Sequence, residues 1–161
     1  MSMKNEKLAD VHDQLFNQID YIGLDSKQSI FFIRKMVEEW GIKAIIDVIT
    51  EVLQTEKEEE IFIVSVLLRN ACLGNGAIPE FHEIVNQFRH AVEKSDIFQL
   101  MNKNLYAKDR LIRESSYYTL GKLSFPQNAK YLKDAIIYYR KHFPDQLEGV
   151  KFEYNWLLHL N

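Results

Sequence analysis

From Ile42 to Leu53 the apolar residues fall three and four places apart, at Ile42, Ile45, Ile46, Ile49, Val52 and Leu53, while Lys43, Asp47 and Glu51 take the opposite face. A stripe with that period covers one side of an α-helix and cannot cover one side of a strand, where side chains alternate. The same spacing recurs along almost the whole chain. Leu8, Val11, Leu15, Ile19 and Ile22 carry it over residues 5–22, and Ile30, Ile33, Met36, Val37 and Trp40 carry it up to Gly41. Phe81, Ile84, Val85, Phe88 and Val92 mark another helix, and Ile97 to Leu105 a shorter one. Leu132, Ile136, Tyr139 and Phe143 mark one that Pro144 closes, and Leu147, Val150, Tyr154, Leu157 and Leu158 mark the last. Six glycines and three prolines among 161 residues leave few joints, which suits helices linked by short turns. The expectation is an all-α protein of eight or nine helices.

The joints carry their own signals. Gly23 and Asp25-Ser26 stop one helix and open the next, "GNGAIP" at 74–79 is the strongest break, and "SFPQN" turns the chain again. Pro79 stands where a first-turn proline belongs. Thr55 with Glu58, and Asp145 with Glu148, have the capping-box spacing in which two side chains satisfy orphan helix N–H groups reciprocally. After Thr55 come the acidic "EKEEE" and then "IFIVSVLLRNACL", which is apolar on all sides, as in a helix sandwiched between neighbours. The β-branched run at 61–68 would also suit a buried strand, but no second such run exists to pair with it. No low-complexity segment or linker divides the chain, so residues 1–161 are expected to form a single helical-repeat domain.

One stretch points to the way the helices stack. "KDRLIRESSYYTLGKL", Lys108 to Leu123, places Ser116 and Thr119 three and six residues after Arg113, followed by Leu120, Gly121 and Leu123. This resembles the HEAT-repeat pattern, with Asp109 one residue further from the arginine than the family's acid, and the likeness extends over residues 107–143. The resemblance implies stacked antiparallel helical hairpins, an α-solenoid, in which small residues let helices approach. It also implies an arginine that ties the turn to the neighbouring repeat, with Asp109 as its first candidate partner. The earlier hairpins, 26–54 and 57–92, fit by helix length and turn spacing. An irregular helical bundle is the alternative architecture.

The chemistry of the chain is sparse. "FHEIVNQFRH" begins like a zinc-protease helix, but the second histidine would have to lie four residues after His82, where Asn86 stands. His90 is two turns away, and His12, His142 and His159 are scattered. Cys72 has no partner for an internal disulfide and sits among apolar residues as a small hydrophobe. "GNGA" lacks the lysine of a phosphate loop. No catalytic residue, cofactor or metal is therefore expected. The polar N-terminus and the lack of an apolar run of about 18 residues argue against a membrane span. A soluble, cytoplasmic protein is the expectation.

Charge is unevenly placed. Net charge is −3, too little positive charge overall for a general phosphate binder. Yet Lys103, Lys108, Arg110, Arg113, Lys122, Lys130, Lys133, Arg140 and Lys141 crowd residues 101–143, against Asp109, Glu114 and Asp134. Tyrosines interleave with these cations, and tyrosine and arginine carry energy at interfaces. Arg110, Tyr117, Tyr118, Lys122, Lys130, Lys133, Tyr138 and Arg140 are accordingly the candidate partner-binding residues. The function expected is non-catalytic binding of another macromolecule, a protein with an acidic surface. Its narrower form is a regulatory or immunity-type protein, similar to small bacterial solenoids that neutralise a toxin. The alternative is a HEAT-like nucleic-acid-binding or nucleic-acid-modifying enzyme using the basic, tyrosine-rich half, and a solvated surface would explain the same cations.

Overall fold

The computed structural model of the protein describes residues 9–14, 16, 26–73, 79 and 82–159. Helix α1 spans Ser26–Trp40, α2 Ile42–Leu53, α3 Glu58–Leu73, α4 His82–Lys94, α5 Ile97–Asn104, α6 Arg110–Lys122, α7 Ala129–His142 and α8 Leu147–Leu158. No strand occurs among the described residues, and the 61–68 run is helical within α3. Residues 9–14 and 16 are helical too; the rest of the helix expected over 5–22 lies outside the described residues, as does most of "GNGAIP".

The helices bury the faces their spacing marks. In α2 Ala44, Ile45, Ile46, Val48, Ile49, Val52 and Leu53 are buried. Gly41, at φ 84°, turns the chain between α1 and α2 in one residue, a left-handed conformation that favours glycine. In α3 Ile61, Ile63, Val64, Leu67, Leu68, Ala71 and Cys72 are buried, yet Phe62 stands 57% exposed. Leu158 also faces outward, so the last residue of the C-terminal stripe lies off the core.

Both capping-box expectations are corrected. The Thr55 hydroxyl donates back to the Val52 carbonyl at 2.7 Å and accepts the Lys57 N–H at 3.4 Å. Asp145 lies in a 3₁₀ turn, Pro144–Gln146, and pairs with Arg110, while Gln146 precedes α8 without a side-chain cap. The Thr55 hydroxyl thus serves the turn before α3, and the Asp145 carboxylate serves Arg110.

The quoted stretch is α6 and the turn before it. Asp109 is the helix N-cap, accepting from the N–H groups of Leu111 and Ile112 at 2.8 and 3.2 Å. It does not hold Arg113. That side chain is buried; Nε donates to Gln146 Oε1 at 2.7 Å, and Nη1 donates to the carbonyls of Ala107 and Lys108 at 2.8 Å each. Its guanidinium also lies 3.6 Å from the Phe143 ring centroid. Ser116 and Thr119 are fully inside. Gly121 admits close packing of α8, because a Cβ there would fall 2.6 Å from the Cβ of Glu153.

Three helices run side by side in one direction. The N-termini of α3 and α6 meet where the Glu58 and Asp109 carboxyls share a hydrogen bond, which raises Glu58 and lowers Asp109 relative to ordinary carboxylates. Their C-terminal halves meet where Arg69 donates to Thr119 at 3.5 Å. α8 follows α6 in the same sense, with Gln146 on Arg113 at one end and Glu153 near Lys122, 3.4 Å away, at the other. α1 packs on α3, α3 on α6 and α6 on α8, while α2, α4 and α5 contact one another behind them. α7 returns antiparallel to α6, its Tyr139 hydroxyl donating to the Leu105 carbonyl ahead of α6, and it packs mainly on α8.

Candidate partner-binding surfaces

Leu132, Ala135, Ile136 and Tyr139 fix the rotation of α7 by facing the core. Lys130, Lys133, Ile137, Arg140 and Lys141 must then share the opposite, exposed side. Between α7 and α8 this side borders a cleft of about 450 Å³ lined by Lys133, Ile136, Ile137, Arg140, Lys151, Tyr154 and Asn155. Three cations line it and no carboxylate does. Lys151 approaches Glu148 at 3.4 Å, whereas Lys133 and Arg140 make no ion pair with the described residues. Ile137, 66% exposed, adds an apolar surface at the rim. Such a cleft can hold a carboxylate-bearing segment with an apolar side chain.

The other candidate residues are spread more widely. Tyr138 leaves α7 on another side, where it stacks on His142 with ring centroids 4.0 Å apart and meets Tyr106 edge-on at 5.0 Å. Arg110 is at the end of the α3–α6–α8 row, paired with Asp145. Tyr117 points inward: it is buried, its ring covers Gly149, and burial raises its hydroxyl above the ordinary tyrosine value. It packs α6 on α8. The structure therefore brings Lys130, Lys133 and Arg140 together on one face, and Tyr118 and Lys122 on another.

That second face lies over α3, α6 and α8. Lys122 Nζ is 5.4, 4.9 and 4.6 Å from the ring centroids of Tyr118, Phe152 and Trp156, a three-sided aromatic surround for a cation. Beneath it the Glu153 carboxyl is buried, which raises its pKa, opposed by Lys122 and Arg69. Arg69 lies 4.6 Å from the Tyr118 ring centroid. Towards the N-termini of α3 and α6 the same face opens into a trough of about 610 Å³. Phe62, Leu111, Glu59 and Glu114, which help to line it, were not singled out from the sequence. Phe62 was hidden because its helix is apolar all round, and Glu114 because it was counted only as a minority charge in a basic region.

Among the described residues no group of three or more metal-ligating side chains occurs, and no helix is long and apolar enough to cross a membrane. Cys72 is buried, which pushes its thiol up to about 12 and leaves it protonated at neutral pH. Compared with known protein families, curated proteins and solved structures, the chain finds no match.

Proposed function

We propose that this protein is a non-catalytic binder of another macromolecule, a stack of HEAT-like helical hairpins that takes an acidic protein segment into the α7/α8 cleft. The parallel row α3–α6–α8, with α1 packed on α3 and the remaining helices behind or between, supports the hairpin stack. The buried Arg113 at the turn before α6 supports it as well. One observation carries the functional reading: Lys133, Arg140 and Lys151 converge on one cleft without a carboxylate among its lining residues. Lys133 and Arg140, which make no ion pair with the described residues, leave the cleft positive even though Lys151 is near Glu148, and such a cluster attracts anions and steers their approach. Ile137 and Tyr154 beside the cations suit a protein segment, whose side chains can set apolar surface beside a carboxylate. Regulation or neutralisation of such a partner is the narrower form of this reading.

The test compares a leucine–glutamate amphipathic peptide with a labelled DNA duplex, each titrated against the protein and against a Lys133→Glu/Arg140→Glu variant. The expected result is peptide binding that weakens about tenfold or more in the variant, with little duplex binding. Tight duplex binding, falling steeply with salt and lost in the variant, would favour nucleic acid instead.

A further inference from the structure

Ten large apolar side chains are exposed among the described residues, and Phe62, Leu111 and Tyr118 line a single trough between α3 and α6. Their exposures of 57, 52 and 42% are far above those of a core residue, and an exposed apolar patch in a depression is characteristic of a contact site. Phe152 and Trp156 continue it onto α8. The charges in the trough are of one sign at one end. Glu58, Glu59 and Glu114 line it near the N-termini of α3 and α6. The cations at the far end do not offset them. Arg69 is held against Tyr118 and Thr119, and Lys122 lies among three rings with Glu153 below it.

Shape narrows the occupant further. α3 and α6 are parallel neighbours, so the trough runs along them as a helix-sized channel. Leu111 and Tyr118 are seven residues apart, two helical turns or about 10 Å, with Glu114 between them on the same face. We infer that the α3/α6 trough is a docking groove for a basic amphipathic helix of a partner protein. Such a helix presents apolar residues two turns apart to Phe62, Leu111 and Tyr118, and sets lysine or arginine against Glu59 and Glu114. This is helix-in-groove recognition, with charge chosen opposite to that of the α7/α8 cleft. The two sites do not depend on each other.

The experiment uses the whole protein and a fluorescent leucine–lysine amphipathic peptide, followed by anisotropy, with a leucine–glutamate peptide of equal length in parallel. Binding of the leucine–lysine peptide is expected to weaken about tenfold or more in Glu59→Lys/Glu114→Lys and in Phe62→Ser. It is expected to be unchanged in Glu38→Lys, an exposed charge reversal on α1. Because Glu59 and Glu114 are exposed, the double variant keeps the test open even if Phe62→Ser lowers stability. Absence of binding, equal binding by every variant, or loss in the groove variants of leucine–glutamate binding alone would overturn the inference. So would self-association of the protein, lost in both the groove double variant and Lys133→Glu, because it would assign the groove to a second copy of the chain.

Discussion

Arg113 makes three hydrogen bonds and one ring contact from a buried position, all to groups of the turn before α6 or of the segment leading into α8. The carbonyls of Ala107 and Lys108 close the turn, and Gln146 relays the contact by donating to the Arg110 carbonyl at 3.1 Å. A lysine has neither the fork nor the flat face for this set of partners. Arg113→Lys is therefore expected to cost roughly 1–3 kcal/mol of stability, since buried acceptors lose their donors. Binding at either surface should persist in the folded variant. A melting curve beside a peptide titration checks both, and an unchanged melting temperature would contradict the account. The sequence pattern pointed to the arginine but named the wrong first partner. Asp109 is nearer in sequence, yet the first-turn N–H groups claim its carboxylate, and the acceptors that hold Arg113 are backbone carbonyls and a distant glutamine.

At the scale of elements, helix spacing was legible because burial follows period, as α2 shows residue by residue. Helix entry was less legible. The Thr55 hydroxyl accepts the Lys57 N–H of the turn, and Asp145 pairs with Arg110. Exposure of Phe62 was illegible, since a helix apolar on every side does not say which side a neighbour leaves bare. The seam between α6 and α8 was also beyond the sequence, because it depends on Glu153 lying over Gly121. Burial raises that carboxyl above its ordinary value of 4.5, so its ionised form is disfavoured in the folded state. The unfolded chain releases this proton at lower pH than the folded one does. Wild-type stability thus falls, through this group, as pH rises from the ordinary value through the raised one. Glu153→Gln removes that component. Melting temperatures of both proteins between about pH 4 and 7 should diverge, with the variant gaining on the wild type as pH rises. A difference that stays flat, or runs the other way, would contradict burial as the dominant influence on Glu153.

Across the whole molecule, the buried residues from Ile33 in α1 to Leu157 in α8 belong to one contiguous core. Even a contiguous core can open in parts when one interface between helices is weak. The interface at risk here is the middle one, between α3 and α6, and it is among the most extensive in the protein. It is joined from behind by Asn104, which donates to the Leu53 carbonyl at 3.0 Å, and by Arg89, which donates to the Leu123 carbonyl at 2.8 Å. These bonds link α2 to α5 and α4 to the end of α6, so neither half can leave without exposing the other. The two tryptophans report on opposite ends: Trp40 closes α1 and donates to Gln14 at 2.7 Å, while Trp156 lies on α8. In Trp40→Phe the fluorescence follows the α8 end, and in Trp156→Phe it follows the α1 end. For each variant the urea midpoint by fluorescence is expected to coincide with its own midpoint by far-UV circular dichroism, as in a two-state transition. A Trp40 signal that is lost well before the ellipticity would mean that the α1 end unfolds apart from the α8 end and that these bonds do not couple the two halves.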